Sequence, residues 1–564
     1  MQEKMSDTPK KRASRPVYQS PSQLSLPGFE TPFEQKLKAD NRWVQMAKVI
    51  PWDDLCGKYL KKVGVSTTGR PAINPRVVIG SLIIKHLCNY SDRETVQSIS
   101  ENMYMQFFLG YTSFNPDPPF DPSDFVDFRK NLDMETLNSM NERIVELKTR
   151  FEEVRSPKNK KGGDTAGDGQ PPVTGPADPA GSIEPPAPDA PANKGSVIFD
   201  ATACPQDIAY PTDLDLLNSA REKAEELVDI LYARANMEKK PRTYRREARR
   251  AYLETAQSKK KGAKKIRKAI GQQLRYLERD IRIIDQLLDH LGTMPLDKAQ
   301  YRYMLVIREV QRQQREMWDN RKHSVNDRIV SIHQPHVRPI VRGKSNANVE
   351  FGAKIHLSLV SGIAFLDKLS WDAFNEGAHL KSFVELYKKR FDFYPREVLA
   401  DQIYCTRENR AYLKGLKIKL VAKPLGRPSA VKDHVRPGAR NPVDGKFGQA
   451  KTAYGMDRIK ARLKETSQSW IATIVLVLNL VKLARSVSYC QFWMVIEAAR
   501  GIPVIFVRAA QAGRSWGFVG FSSESSLPAS PNYKYVERIL NDNEIQGKYS
   551  NEVGAHGENH SITT

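Results

Sequence analysis

One stretch of the chain is unable to form a hydrophobic core, and it divides the sequence into two parts. Residues 156–195 contain nine prolines and seven glycines, and their only large apolar side chains are Val173 and Ile183. Such a segment cannot bury enough apolar surface to offset the entropy of ordering its backbone. We expect a Pro/Gly/Ala-rich linker, with folded structure before it and after it.

Before the linker, apolar residues recur with the period of an α-helix. Ile79, Ile83 and Leu87 lie four residues apart, and Ser91 with Glu94 has the pattern of a capping box. We expect a helical N-terminal domain over residues 40–155. DNA binding is its expected role, and the alternative is that the amphipathic helices only pack a core.

Residues 1–39 are polar and rich in Ser and Pro, so we expect a disordered leader. Within it, the string QLSLPGF at Gln23–Phe29 resembles the short peptide by which several bacterial DNA-handling proteins bind the replication sliding clamp. The Pro-Gly insertion before Phe29 departs from the usual pattern. The resemblance implies a sliding-clamp partner, and the alternative is a chance match of a short string.

A second helical pattern, over residues 212–325, carries a dense positive charge. Its apolar stripe from Ile270 to Leu291 steps by four and three residues, which predicts a coiled-coil seam with the stripe from Leu217 to Ile230 as antiparallel partner. Residues 239–268 have a net charge of +12, more than half of the +23 of the whole chain. A solvated helix tip is the alternative, but this charge density favours contact with DNA phosphates. The predicted DNA-binding residues are Lys239, Lys240, Arg242, Arg245, Arg246, Arg249, Arg250, Lys259, Lys260, Lys261, Lys264, Lys265, Arg267 and Lys268.

Cysteine usage and the apolar runs restrict the cellular location. The five cysteines form no CxxC pair, which argues against a disulfide framework and against a thiolate zinc site. The most apolar run, from Trp470 to Ala484, contains Asn479 and Lys482 and is expected to be too short to span a bilayer. No apolar N-terminal stretch resembles a signal peptide. We expect a cytoplasmic protein.

From residue 196 the pattern alternates strands with helices. It predicts a strand Ser196–Asp200, a hairpin turning at Ser361–Gly362, a strand ending at Asp401, and helices over 443–463 and 467–485. This order indicates an α/β fold with a mixed sheet, formed by residues 196–211 and 326–486 and interrupted by the helical insertion 212–325. Residues 487–564 form a C-terminal tail for which we predict no role.

Three aspartates are candidates for a metal site. Asp200 and Asp401 end separate strands, where α/β sheets expose their sites, and Asp444 begins a helix between Arg440 and Lys451. Gathered carboxylates would repel one another unless divalent cations neutralised them, and oxygen ligands suit Mg²⁺ or Mn²⁺.

Each candidate has a simpler interpretation. An aspartate at a strand end is often a turn or helix-cap residue, and Asp444 could be a favourable partner of a helix dipole. Four nearby acids could replace one of the three, namely Asp207, Asp213, Asp367 and Asp372. The histidines of the HQPH string, His333 and His336, have a spacing that could suggest metal ligands, but the proline between them favours a loop or packing role.

Several ordered strings identify a family resemblance. They are SVIFDAT, DRIVSIHQPHVRPIVRGK, FGAKIHLSLVSGIAFLDKLSWDAFNEG, VLADQIYCTRENR, LGRP and RNPVDGKFGQAKTAYGMDRIKARL, preceded by DRETVQSISENMYMQFFLGY and PFDPSDFVDFRK. Over about residues 40–485 the chain resembles the transposases of bacterial insertion sequences, which carry a DDE catalytic domain of ribonuclease H-like fold. The resemblance implies a nucleoid-associated enzyme that cuts double-stranded DNA at the ends of its element and joins them to a target. It also implies two Mg²⁺ or Mn²⁺ ions and a homodimer or larger assembly on DNA.

The resemblance also assigns roles to particular residues. Asp200 corresponds to the first catalytic acid, Asp401 to the second, and Asp444 stands where the family has a glutamate. Arg440 and Lys451 match basic positions flanking that acid. The missing methylene at Asp444 leaves open a catalytically inactive DNA-binding protein, either a decayed transposase or a regulator. A nuclease or RNA-processing enzyme on the same fold, which would cut without joining, is a further alternative.

Overall fold

The computed structural model describes residues 37–38, 40–64, 72–155, 193–260, 262–344, 347–422 and 438–486. The clamp-like string, most of the predicted leader and linker, the LGRP string and the predicted C-terminal tail lie outside these residues. The division into domains stays a prediction.

The regular elements that the structure describes before the linker are α-helices. The capping box predicted at Ser91 is present: the Ser91 hydroxyl accepts from the Glu94 amide, and the Glu94 carboxylate accepts from the Ser91 amide. The helices are α1 (Arg42–Val49), α2 (Trp52–Val63), α3 (Pro75–Cys88), α4 (Asp92–Glu101), α5 (Met103–Leu109), α6 (Asp124–Asn131) and α7 (Met134–Arg155).

A mixed sheet of six described strands follows. The strands are β1 (Ser196–Pro205), β2 (Arg338–Lys344), β3 (Ala347–Val360), β4 (Ile363–Ser370), β5 (Glu397–Leu399) and β6 (Lys419–Val421). Strand β3 pairs antiparallel with β1, β2 and β4, whereas β5 pairs parallel with both β1 and β6. The predicted hairpin is present, because Ser361 and Gly362 both have positive φ and close a two-residue turn between β3 and β4.

Between β1 and β2 the chain forms four described helices with a hydrophobic core of their own. They are α8 (Asp213–Ala235), α9 (Arg245–Ala256), α10 (Ala263–Leu291) and α11 (Lys298–Asp319). Leu217 and Leu227 of α8 are buried in this core together with Leu274 and Leu287 of α10, so the two predicted apolar stripes do share a core. Supercoiling of these helices stays a prediction.

The remaining helices contribute to two further cores beside the sheet. Helices α12 (Leu380–Phe391) and α13 (Arg407–Gly415) share a core with Val197 and Phe199 of β1. Helices α14 (Asn441–Tyr454) and α15 (Lys464–Ser486) belong to another, which is continuous with the helices that precede the linker.

Three predictions about element bounds need correction. Strand β1 continues past Asp200 to Pro205, because its pairing with β3 extends that far. Helix α14 ends at Tyr454 rather than near residue 463, because Gly455 takes a left-handed conformation with φ of 73° that terminates the helix. The apolar run expected to be too short for a membrane span lies in a longer helix, and Lys464–Ala484 has the length and composition of such a span. Most of that helix is buried inside the protein, so its apolar character fits a core helix.

Candidate active site

Strand pairing brings Asp200 and Asp401 to the same level of the sheet. In the parallel pair of β1 and β5, Ile198 lies opposite Leu399, and each aspartate follows two residues later. Because β5 ends at Leu399, Asp401 lies in the turn beyond its strand, whereas Asp200 lies within β1. The order of the strands thus places two of the three predicted acids side by side.

A single arginine contacts both acids. One terminal nitrogen of Arg440 lies 3.2 Å from an Asp200 carboxylate oxygen, and its other terminal nitrogen lies 3.1 Å from an Asp401 oxygen. Arg440 immediately precedes the first residue of α14. The guanidinium therefore links two neighbouring strands to the start of this helix, and it neutralises part of the charge of the two carboxylates.

The two aspartates differ in environment. Asp200 is mostly buried, with a side chain 17% exposed, and its second oxygen accepts a hydrogen bond of 2.8 Å from the Ala201 amide. Asp401 has a side chain 60% exposed and accepts from the Gln402 amide at 2.7 Å, so it also caps the 3₁₀ turn Gln402–Tyr404. The simpler interpretation of Asp401 as a cap is correct as well, because one carboxylate can cap a turn and bind Arg440 at once.

The charges around Asp200 show that the third acid is near. Burial raises the pKa of Asp200, the Ala201 amide and Arg440 lower it, and the charges of Asp444 and Asp401 raise it. Asp444 is exposed in the first turn of α14, so it also lies favourably in the helix dipole.

Lys451 is the predicted site residue that lies farthest along α14. The helix is continuous from Asn441 to Tyr454, so Lys451 lies on the face of Asp444 but about two turns away, roughly 10 Å along the axis. The structure thus brings Asp200, Asp401 and Arg440 into direct contact, with Asp444 close by and Lys451 at a distance.

The donor chemistry of this group fits a hard divalent cation. Carboxylate oxygens are the ligands that Mg²⁺ and Mn²⁺ prefer, and the two aspartates already share one cationic partner. Within the described part of the chain, however, no three Asp, Glu, His or Cys side chains are close enough together to hold a metal ion. The carboxylates are therefore gathered around a guanidinium and are not preformed as a three-ligand site.

The four alternative acids have partners elsewhere. Asp207 pairs with Arg458, Asp213 with Arg328, and Asp372 is exposed beside Arg338. Asp367 is fully buried between His356 and Arg390, where its oxygens lie 3.0 Å from the His356 ring nitrogen and 2.6 Å from the Arg390 guanidinium. These ion pairs explain the four acids without a metal role.

The two histidines of the HQPH string pack as predicted. The Nδ1 atom of His333 lies 2.9 Å from the Tyr303 hydroxyl, and the His336 ring meets Trp371 edge-on at 4.3 Å between centroids. Burial lowers the pKa of His336 to about 4, so this ring is neutral at pH 7.

Two residues that the sequence reasoning missed fix the turn after Asp401. A Cβ atom on Gly377 would lie 2.4 Å from the Ile403 carbonyl oxygen, so only glycine allows this close approach. The buried Asn409 amide donates to the Gly377 carbonyl at 2.7 Å and to the Tyr404 carbonyl at 3.0 Å. The Asn-Glu-Gly sequence at 375–377, a typical turn, was the available signal.

The predicted DNA-binding cations divide into two groups. Lys240 and Arg245 pair with Asp229, Arg249 pairs with Glu222, Arg267 lies over the Trp318 ring, and Lys265 donates to Ser258. Lys261 lies outside the described residues. The others are exposed and make no ion pair with a described residue: Lys239, Arg242, Arg246, Arg250, Lys259, Lys260, Lys264 and Lys268.

Comparisons with known proteins match two parts of the chain, and one of these parts contains most of the candidate site residues. A family model described as "Transposase domain (DUF772)" matches residues 31–131, and one described as "Transposase DDE domain" matches residues 398–481. The second match includes Asp401, Arg440, Asp444 and Lys451, whereas Asp200 lies outside both. The matches confirm the resemblance to DDE transposases of insertion sequences.

A curated relative is the uncharacterized protein ORF8 in the nfe locus of Rhizobium meliloti. It is 35% identical over 106 residues, which cover 18% of this chain and 49% of the relative. The chain therefore spans about half the length of this relative. No solved structure matches the chain.

Proposed function

We propose that this protein is a transposase that binds the ends of an insertion sequence and cleaves and joins DNA with divalent metal ions. One observation carries the proposal: Asp200 and Asp401, from paired strands, share Arg440 at the start of the helix that bears Asp444. The match of a transposase DDE domain to three of these four residues supports it.

The fold supports the same conclusion. The strands lie in the order β2, β3, β1, β5 and β6, and β4 also pairs with β3. Antiparallel pairs on one side of β1 and parallel pairs on the other give a mixed sheet, as the resemblance to a ribonuclease H-like domain implies. The insertion of four helices after β1 interrupts this sheet in sequence without breaking its pairing.

The chemistry assigns a role to each side chain. Asp200 and Asp401 would hold Mg²⁺ or Mn²⁺, two ions being expected, with Asp444 as the third ligand. Bound metal would activate a water or a DNA 3′-hydroxyl and offset charge at the phosphodiester. Arg440, released from the carboxylates, would donate to the phosphate being attacked, and Lys451 would contact a phosphate farther along the strand.

Double-stranded DNA is the proposed partner of the basic insertion. The exposed cations without an ion pair among the described residues are the strongest candidates for phosphate contacts, and Arg246 and Arg250 line a groove between α8 and α9. Pairing two DNA ends would require a homodimer or larger assembly. Binding of a sliding clamp through Gln23–Phe29 and a cytoplasmic, nucleoid-associated location complete the proposal.

One observation favours a second candidate function. Asp444 is exposed and shorter than the glutamate of the family, and the described acids do not form a three-ligand group. A DNA-binding protein without catalysis, either a decayed transposase or a regulator, would have these properties.

Replacement of Asp200 by Asn distinguishes the metal-dependent transposase from the DNA-binding protein without catalysis. We expect wild-type protein to nick and join labelled element-end DNA in Mg²⁺ and Asp200→Asn to lose this activity by at least about a hundredfold while still binding the DNA. Asp207→Asn is the matched control, because Asp207 lies just beyond the same strand but pairs with Arg458. Full activity of Asp200→Asn would refute the metal role, and inactivity of wild-type protein with intact DNA binding would support the second candidate.

A further inference from the structure

Helix α10 carries a row of cations that extends beyond the predicted basic cluster. Lys264, Lys268, Arg275, Arg279 and Arg282 are separated by four, seven, four and three residues, which places them on one face of the helix. The helix is uninterrupted over these positions, so the row extends over eighteen residue steps, or about 27 Å. We call these five residues the α10 stripe.

Four of the five stripe residues face solvent, Arg279 is partly buried, and the stripe has no carboxylate partner among the described residues. Lys264, Lys268, Arg275 and Arg282 are exposed, and within the described ranges none of the five makes an ion pair. Two acids of α10 near the stripe form ion pairs with another helix: Glu278 pairs with Arg315 of α11, and Asp285 pairs with Arg308 of α11.

Arg279 is held in place by aromatic rings. Its guanidinium lies 4.5 Å from the centroid of Tyr244 and 5.7 Å from that of Tyr276, and its Nη1 atom is buried without a hydrogen-bond partner among the described residues. A stacked guanidinium loses less freedom when it binds an anion, because the rings already restrict it. Tyr244, which has a positive φ of 56°, ends the loop before α9, so the start of α9 lies beside the stripe.

The cations of the stripe destabilise helix α10. Lys264 lies in the first turn of α10, where the helix dipole repels cations and where no acidic residue is present. The pairs 264 with 268 and 275 with 279 put like charges four residues apart, which is also unfavourable. Charges that oppose the stability of their own helix indicate selection for a ligand.

We infer that the α10 stripe binds the phosphate backbone of double-stranded DNA without reading its sequence. A duplex carries one negative charge per about 1.7 Å, so a straight row of about 27 Å matches about eight base pairs. A rigid helix can match a rigid duplex over this length, whereas a flexible single strand offers no fixed spacing. The inference rests on the proposed function for its partner, but it names residues Arg275, Arg279 and Arg282 outside the predicted cluster.

A charge-matched pair of double variants tests the stripe in the full-length protein. Lys268→Ala/Arg275→Ala removes two stripe cations, and Arg308→Ala/Arg312→Ala removes two α11 cations that have carboxylate partners. Binding to a fluorescent 30-base-pair duplex of arbitrary sequence is measured in EDTA over a range of NaCl concentrations. We expect the stripe variant to lower the slope of log affinity against log salt by about 1.8, at about 0.9 per phosphate contact, and the α11 variant to leave it unchanged.

The outcomes separate the stripe from the enzymatic proposal, because no metal is present in the binding assay. Equal loss in both variants would show a general charge effect and overturn the inference, as would an unchanged slope in the stripe variant. A stripe-dependent slope with single-stranded RNA but not with the duplex would also overturn it. Thermal unfolding of both variants excludes misfolding as the cause. We expect the stripe variant to be slightly more stable than wild type, because it removes two like-charge pairs, and the α11 variant to be slightly less stable, because it loses ion pairs at the surface.

Discussion

Arg440 occupies the space between two acids that would otherwise repel each other. Its terminal nitrogens contact Asp200 at 3.2 Å and Asp401 at 3.1 Å. A divalent cation bound by both carboxylates would have to displace this guanidinium, and the same arginine would then be free to bind a phosphate. Arg440 would therefore oppose metal binding and favour DNA binding.

Replacing Arg440 by Ala should tighten the binding of Mn²⁺. The metal would no longer compete with two partly exposed ion pairs, each of which contributes about 0.2–1 kcal/mol, so we expect an affinity about twofold to thirtyfold higher by isothermal titration calorimetry. Arg458→Ala, which removes the partner of Asp207 alone, should leave the Mn²⁺ affinity unchanged. Weaker binding by Arg440→Ala would show that the guanidinium does not compete for the metal position.

Asp280 is an acid buried in the helical insertion. It is 0% exposed, and neither carboxyl oxygen has a hydrogen-bond partner among the described residues. Burial, with a smaller effect from Glu225, raises the pKa of Asp280 to about 8. The folded protein therefore keeps Asp280 protonated at pH 7, whereas the unfolded chain releases this proton above about pH 4.

Asp280 should make the insertion less stable as pH rises. Between about pH 4 and pH 8 the folded state holds one proton more than the unfolded state, so the free energy of opening falls by about 1.4 kcal/mol per pH unit. Asp280→Asn cannot ionise at this position. The difference in the free energy of opening between Asp280→Asn and wild type should therefore grow from about pH 4 to about pH 8 and stay constant at higher pH. Hydrogen exchange of the α10 amides, corrected for the intrinsic pH dependence, measures the difference.

The control for this experiment lies on the same helix. Asp285 is partly exposed and pairs with Arg308, so Asp285→Asn should not reproduce the growing advantage. A constant difference between Asp280→Asn and wild type from pH 4 to pH 8 would show that Asp280 has an ordinary pKa in the folded protein.

At the scale of elements, helix α15 shows how a polar residue can belong in an apolar helix. Asn479 is fully buried; its oxygen accepts from the Ala364 amide at 2.9 Å, and its nitrogen donates to the Ala364 carbonyl at 2.7 Å. The same nitrogen lies 2.9 Å from the Asn141 amide oxygen on α7. One side chain thus joins α15 to the edge of β4 and to α7.

Asn479→Ala should therefore destabilise the protein. The change leaves the buried Ala364 amide and carbonyl without these partners, and such groups cost about 1–3 kcal/mol when they are unsatisfied. Asn138→Ala, which removes one hydrogen bond to the Leu366 carbonyl from a partly buried position, should cost less. Thermal unfolding of the two variants compares them, and an equal or smaller shift for Asn479→Ala would contradict the role of its three hydrogen bonds.

The hairpin of β3 and β4 was predicted correctly, whereas the end of α14 was not. The hairpin of β3 and β4 followed from a two-residue period and a Ser-Gly turn, which are local signals. The end of α14 at Tyr454 was missed, because helical periodicity continued in the sequence past a glycine whose left-handed conformation stops the helix.

At the scale of the whole molecule, we expect the net charge of +23 to govern the proposed association with DNA. Because each neutralised phosphate releases counter-ions, we expect duplex affinity to fall at least about a thousandfold between about 50 mM and 200 mM NaCl, which corresponds to six or more contacts. Fluorescence anisotropy measures this, and sucrose of equal osmolality is the uncharged control. An affinity nearly independent of salt would exclude a phosphate-based interface.

The order of residues along the chain is enough to predict the local features of this protein: the helical and strand periods, the basic cluster, and Asp200, Asp401, Asp444 and Arg440 as candidate site residues. These depend on neighbouring residues or on ordered motifs, which a sequence displays directly. The folded chain was needed to show which cations have carboxylate partners, and that one guanidinium contacts two aspartates about two hundred residues apart. Such contacts arise where distant segments pack together, and no local period records that packing.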